Sequence, residues 1–478
     1  MRGRRHLVVV VPGIGGSVLA FPGKPDDVVW DAGVGDIADL VVRPDRMSVA
    51  ESPGLEPIGL TESTKLLGFT VVPGYEGLLD QLEEFGKVDR RGDPNHPARD
   101  TDVVVAPYDF RHGIVEAAER LDAVVRGRQE EVSEAERAAR VIVVAHSLGG
   151  LVARYWMGPL RRWPWCRALI TLGTPHRGAS KALDWLVNGV RLRGVRLPGP
   201  SRLVWDWPAV AELLPCYPVV RNLAAPADAA DGKWYPHELP VDGLAGPAKK
   251  AYDLHVGIER SWREMPRDGP EMVACIGWSH PTLDACFWDG ISLEVTKDPP
   301  DWLDLSPRWK GDFGDGTVPA VSALPPELDN QVRGPIRLVD RHVPMACSER
   351  ILELILKAEG WGPPEHVHEG VDGERGPALG LDVDELHACG QPIPITATIR
   401  EVDADLAGQA VWARLRDAAD ATAGWVSVRL DWDGEQGCFQ GLLPGRPEGL
   451  YELKVSAREV PDGGDLEAVD TVAVVDGE

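Results

Sequence analysis

Three residues of this chain could share one reaction: Ser147, Asp315 and His342, in that order along the sequence. Ser147 stands in V-I-V-V-A-H-S-L-G-G (141–150), where a β-branched apolar run stops abruptly and two glycines follow one residue later. The stretch is close to the nucleophile-elbow pattern G-x-S-x-G, with Ala145 in place of the first glycine. A serine hydroxyl is a poor nucleophile at neutral pH. It needs a base to take its proton, an acid to orient that base and fixed donors for the oxyanion. The chemistry would be acyl transfer through an acyl-serine. Read alone, Ser147 is also consistent with a helix N-cap.

The partners an elbow serine needs follow in the order Ser, Asp or Glu, His. Asp315, in G-D-F-G-D-G-T-V-P, is flanked by glycines that suggest a tight loop; Asp312 competes with it three residues earlier. His342, in L-V-D-R-H-V-P-M, follows an apolar run and precedes a helical pattern, a loop position suited to a general base. His146 adjoins the serine on the turn and points away from it, so it is a poor base. The oxyanion donors expected of an elbow are the N–H after the nucleophile, Leu148, and one from a loop after an early strand, here Ile14 in V-V-V-V-P-G-I-G-G-S. The same glycines do not make a dinucleotide fingerprint, because Val18 occupies the position of the third glycine.

Buried strands would position these loops. Short continuous apolar runs recur at Leu7–Val11, Asp102–Ala106, Val141–Ala145, Ala168–Leu172, Met272–Ile276 and Ile336–Val339, as suits a parallel sheet covered on both faces. Helical spacing appears between them, over Gly113–Arg128 and from Ser348 to a stop at Gly360. The fold class is α/β. Residues of about 20–70 and 178–310 break the rhythm and read as cap insertions. Residues 361–378 read as a linker. Beyond it, alternation at Ile393–Ile399, Val426–Leu430 and Tyr451–Val455, with intervening turns, suggests a β-sandwich (Ig-like) module over 379–478.

At 478 residues and 44% hydrophobic content, a domain of about 360 residues plus an appendage is a natural division. The formal charge of −25 argues against a nucleic-acid partner but leaves room for local contact with a lipid surface through the cap. The basic start before Leu7–Val11 is followed by too short an apolar run for a signal peptide, so a cytoplasmic location is expected. Seven scattered cysteines suggest reduced thiols. His366 and His368 form a lone H-x-H in the linker, and Asp431-Trp432-Asp433-Gly434 reads as a hairpin turn rather than a calcium loop, so no metal or other cofactor is expected.

The ordered set V-P-G-I-G-G-S (11–17), A-P-Y-D-F-R (106–111), A-H-S-L-G-G (145–150), T-L-G-T-P-H-R-G (171–178), G-D-G-T-V-P (314–319) and R-H-V-P-M (341–345) resembles the lecithin:cholesterol acyltransferase and lysosomal phospholipase A2 family of α/β-hydrolases. The resemblance covers about residues 5–360. It implies Ser147 as nucleophile, Asp315 as acid, His342 as base, Ile14 and Leu148 as oxyanion donors, and a lipid ester as substrate. Gly13, Tyr108, Asp109, His146 and Thr174 would shape the substrate site, Asp109 as an ion pair with Arg111; His176 would be structural. Phe110 replaces the family's tryptophan. Secreted relatives hold a lid by a disulfide near the first insertion, whereas residues 23–70 contain no cysteine. Trp185, Trp205, Trp207, Trp278, Trp288 and Trp302 could form an acyl-binding cap or a satellite core. Two other expectations stay open: a small-ester carboxylesterase, and a non-catalytic interaction protein that recruits partners through its β-module.

Overall fold

The computed structural model describes residues 6–475 apart from 32–42, 62–73, 99, 130–139, 193–194, 227–228, 230–231, 267–268, 304–312, 329–334, 349, 361–375 and 419–422. Its centre is a seven-stranded sheet. The strands are β1 (Leu7–Val11), β2 (Val88–Asp89), β3 (Val103–Val105), β4 (Val141–His146), β5 (Cys166–Leu172), β6 (Glu271–Gly277) and β7 (Ile336–Leu338). They lie in the order β7-β6-β5-β4-β1-β3-β2, every neighbouring pair parallel. All six apolar runs of the sequence are in this sheet, and the two-residue edge strand β2 is the addition.

Continuous apolar strands fit because both faces are covered. Val9, Val11, Val104, Val143 and Ala145 pack on one side against α2 (Ile114–Gln129) and α3 (Leu148–Met157). Val8, Val10, Val103, Val105, Ile142 and Val144 pack on the other against α1 (Glu76–Phe85) and α6 (Arg350–Ala358). A 3-10 turn at Pro344–Cys347 precedes the last helix, which stops at Gly360, whose φ of 78° admits glycine most easily. This is the α/β-hydrolase architecture.

The two insertions are less irregular than their sequence. The first carries an antiparallel sheet of Ser17–Phe21, Lys24–Trp30 and Glu56–Leu60. Register shifts at Val18/Leu19 and Leu19/Ala20 break the alternation that would have revealed it. The second contains α4 (Ser180–Asn188), α5 (Ala245–Arg263) and a sheet of Val220–Asn222, Lys233–Trp234, Cys286–Trp288 and Leu293–Val295, strands too short to show a period. No helix among the described residues is long and apolar enough to cross a membrane.

The C-terminal strands are β8 (Ala378–Asp382), β9 (Leu386–Ala388), β10 (Ile393–Arg400), β11 (Val411–Asp417), β12 (Val426–Asp433), β13 (Cys438–Leu443), β14 (Gly449–Val460) and β15 (Gly464–Val475). They form a separate curled sheet in the order β8-β10-β13-β12-β11-β14-β15-β9 around one apolar core. β12 pairs with β11 over Val426–Leu430 and with β13 over Asp431–Asp433, so it carries the chain from one half of the sheet to the other. Asp433 then accepts from the Glu435 and Gln436 N–H groups in a hairpin turn.

The two domains are joined by buried groups. Leu386, Ala473 and Val475 enter the core of the α/β domain, and the Arg341 guanidinium meets the Asp470 carboxylate at 2.8 Å. Both side chains are almost fully buried. Removing one member of such a pair strands a charge and costs about 3–5 kcal/mol. Asp470→Ala should lower stability by about that amount in urea unfolding. The double variant Arg341→Met, Asp470→Leu should recover part of the loss.

Candidate active site

Ser147 lies between β4 and α3 with φ 52° and ψ −126°, a backbone that non-glycine residues rarely adopt. Its N–H is tied to the Leu172 carbonyl at 2.9 Å, which fixes the turn against β5. It occupies the N-cap position of α3, yet its side chain makes no capping hydrogen bond. Instead its Oγ lies 2.9 Å from His342 Nε2. Gly149 allows the elbow to come this close to the sheet, since a Cβ there would lie 2.4 Å from the Pro12 carbonyl oxygen.

His342 Nδ1 lies 2.7 Å from Asp315 Oδ2, and all three side chains are buried. The other Asp315 oxygen accepts from the Val318 and Thr317 N–H groups at 2.7 and 2.9 Å. Burial alone would raise this carboxyl. The His342 ring, as charge and as hydrogen-bond partner, together with those two amides, outweighs burial and holds Asp315 below the usual carboxylate range. The positive φ of Gly173 (54°) leaves the space beside the pair clear; a Cβ there would lie 2.7 Å from Asp315 Oδ2 and 2.9 Å from His342 Nδ1.

Two buried histidines hold the loops from behind. His146 Nδ1 lies 3.0 Å from the Tyr75 hydroxyl, and its Nε2 lies 2.9 Å from the His342 carbonyl. The Tyr75 hydroxyl also accepts the Gly13 N–H at 2.8 Å. Donation from Tyr75 to Nδ1 therefore sets His146 as the neutral Nε2–H tautomer. Burial, reinforced by His342, pushes its pKa down to about 3. His280 Nδ1 accepts the Leu381 N–H from β8 at 3.0 Å, and its Nε2 donates to the Val339 carbonyl at 2.8 Å. Its own N–H bonds to the Gly314 carbonyl. His280 thus ties the Asp315 loop, the His342 loop and the β-domain together. Burial and the Arg341 guanidinium push its pKa down to about 4.

Residues 43–218 match the family model of lecithin:cholesterol acyltransferase. That segment of the α/β domain is therefore similar to the lecithin:cholesterol acyltransferase family. The match supports a lipid acyltransferase- or phospholipase-like activity. No curated protein matches the chain. Among solved structures it is similar to the superoxide reductase (neelaredoxin) from Ignicoccus hospitalis, at 13% identity and a TM-score of 0.17, covering 22% of this chain and 89% of that one. A variant of the same protein gives 13% identity and 0.17, covering 21% and 83%. Likeness at that level says nothing of the chemistry.

In the α/β domain a cavity of about 40 Å³ opens at Ser147. Gly13, Ile14, His146 and His342 line it with Ser147. The Leu148 N–H is the first amide of α3, one of those a helix leaves without an intrahelical partner. Three expected residues lie behind the cavity rather than on its wall. The Tyr108 hydroxyl donates to the Pro12 carbonyl and braces the early loop. Asp109 pairs with the buried Arg111 at 2.6 Å. Thr174 packs against Gly150 under the elbow. His176 is buried beside Thr171 and Arg154, away from the cavity. Asp312, His366 and His368 lie outside the described residues. Among the described residues no group of side chains could hold a metal ion. Of the six cap tryptophans, Trp185 lines the cavity, while Trp207, Trp278 and Trp288 are core.

Tyr75, His280, Lys181 and Thr317 went unnoticed in the sequence. Each acts across a large sequence separation, and none carries a local pattern, although Thr317 lies inside G-D-G-T-V-P.

A buried neutral histidine makes stability depend on pH. Below its unfolded pKa of about 6.5, the unfolded chain binds a proton that His280 in the folded chain, at about 4, does not. Its contribution is therefore present above pH 6.5 and lost as pH falls toward 4. The stability gap between wild type and His280→Gln should narrow by about 2 kcal/mol between pH 7 and pH 5 in urea titrations. A constant gap would mean that His280 titrates normally.

Proposed function

We propose that the chain is a serine-dependent acyl-ester hydrolase or O-acyltransferase acting on a lipid ester through an acyl-enzyme on Ser147. One observation carries this reading: the run of contacts from Ser147 Oγ to His342 Nε2 and from His342 Nδ1 to Asp315 Oδ2, at 2.9 and 2.7 Å. In the proposed reaction Ser147 attacks the ester carbonyl while His342 takes its proton. Asp315 orients the ring and stabilises its cationic form, and the Ile14 and Leu148 N–H groups hold the oxyanion. His342 then protonates the departing alcohol, and water or another alcohol removes the acyl group. A fluorophosphonate probe should label wild type and not Ser147→Ala. Asp315→Asn should retain the fold and lose on the order of 10³–10⁴ in kcat. Absence of labelling in folded wild type would instead favour a non-catalytic interaction role, with partners recruited through the β-domain.

A small-ester carboxylesterase is the second reading, and the cavity size favours it: about 40 Å³ accommodates roughly three waters, not an acyl chain. The lipid reading requires the cap around Trp185 to move aside at a lipid surface. The two separate on acyl-chain length. With p-nitrophenyl esters from acetate to decanoate, kcat/KM should rise with chain length for a lipid enzyme. A fall beyond butyrate would select the small-ester reading.

A further inference from the structure

The cavity at Ser147 shares a wall with a larger one. A cleft of about 330 Å³ runs between the α/β domain and the start of the β-domain, and Lys181 and Trp185 line both spaces. The partition is polar. Lys181 Nζ meets Glu385 Oε1 at 2.7 Å, and the Thr317 hydroxyl donates to the same oxygen at 3.4 Å. Lys181 and Thr317 come from the α/β domain and Glu385 from the β-domain, so the second domain forms part of the wall beside the serine.

The cleft lies on the His342 side of the reaction. Gly316 and Arg341, the neighbours of Asp315 and His342, line it, whereas Gly13 and Ile14 of the oxyanion loop do not. In acyl transfer the departing and incoming oxygens exchange protons with the base, so the alcohol part of either ester lies on that side. The rest of the serine cavity's lining includes the apolar Ile14, Ala179, Ala182 and Leu213.

The cleft's own chemistry selects among alcohols. Its charges come in pairs, Lys181 with Glu385, Arg191 with Asp184 at 2.8 Å, and Lys297 with Asp382 at 2.5 Å. Arg341, held by Asp470 from outside the cleft, and Asp384 bring the lining to four cations and four carboxylates. With all four cations already paired, such a wall offers no free cation to an anion, and a hydrocarbon would strip water from it without replacing the hydrogen bonds. A neutral moiety with several hydroxyls can donate to the carboxylates and accept from the cations.

We propose that the interdomain cleft is the alcohol subsite of the Ser147 reaction and receives a neutral, hydroxyl-rich acceptor or leaving group. The proposal rests on the reading of Ser147 as the nucleophile. In the transfer step the acceptor hydroxyl oxygen attacks the acyl carbonyl as His342 Nε2 takes its proton. The tetrahedral adduct collapses, the bond from the carbonyl carbon to Ser147 Oγ breaks, and the proton passes from His342 to that oxygen. A new ester and free serine result, with no other reactant.

The test uses the full chain with p-nitrophenyl butyrate as donor and glycerol or 1-propanol, at equal concentration, as acceptor. The ratio of butyrate ester to free butyrate reports how the acyl-enzyme partitions and is independent of how fast it forms. Wild type should capture glycerol at least fivefold more than 1-propanol. Asp384→Trp, which fills the cleft from an exposed position, should cut the glycerol ratio at least fivefold and bring the two alcohols together. Arg191→Ala, at a half-exposed side chain, should cut it about threefold and covers the case in which the tryptophan variant fails to fold. Equal capture of both alcohols by wild type, or a glycerol ratio that neither folded variant changes, overturns the subsite while p-nitrophenol release still upholds Ser147. No p-nitrophenol release from wild type overturns both.

Discussion

The site depends on one imidazole held in one orientation. His342 must present Nε2 to Ser147 and Nδ1 to Asp315 at the same time, at 2.9 and 2.7 Å. A ring turned by a few tens of degrees loses one contact or the other. The serine is fixed by the turn between β4 and α3, and the carboxylate by two backbone amides of its own loop. His342 has less support from the sheet. It follows β7, an edge strand of three residues, and is itself followed by a 3-10 turn at Pro344–Cys347.

The missing support comes from neutral, buried histidines. His146 grips the His342 carbonyl, and His280 grips the Val339 carbonyl three residues earlier. A charged residue in either place would add a field beside the reacting groups. Imidazoles kept unprotonated by burial supply a directed N–H donor without net charge, and a second nitrogen that anchors them to Tyr75 or Leu381. The histidine beside the serine is therefore a brace for the loop that bears His342.

The sheet was legible because its strands are buried on both faces and keep continuous apolar runs, as in Leu7–Val11 and Val141–His146. Ser147, Asp315 and His342, which the structure brings within hydrogen-bond distance of one another, could be singled out from their order and loop chemistry, with Asp312 left as a competitor. Elements shaped by tertiary contact were hidden. The first insertion conceals its strands behind bulges, and the second divides its strands into pieces of two or three residues. Tyr75 ends a stretch with no period, and its role depends on Gly13 and His146, 62 and 71 residues away. Tyr108, Asp109 and Thr174 were placed near the substrate because their motifs accompany the serine. They act one layer back, through Pro12, Arg111 and Gly150.

The β-domain's strand pattern was visible, but its bearing on the site was not, because pairing preferences say nothing about which domain a strand edge will face. Leu381 is the telling residue. Its N–H goes to His280 and its carbonyl accepts from Arg341, so the backbone of one residue of β8 holds the residue behind Asp315 and the residue before His342. Nothing about a leucine in an alternating strand announces this, since the contacts are made by backbone. The arrangement makes the two domains unequal in role. The α/β sheet positions Ser147 by its own turn, whereas the orientation of His342 draws on backbone that arrives some forty residues later in the chain. A core of parallel strands can therefore be complete while the chemistry it carries is not.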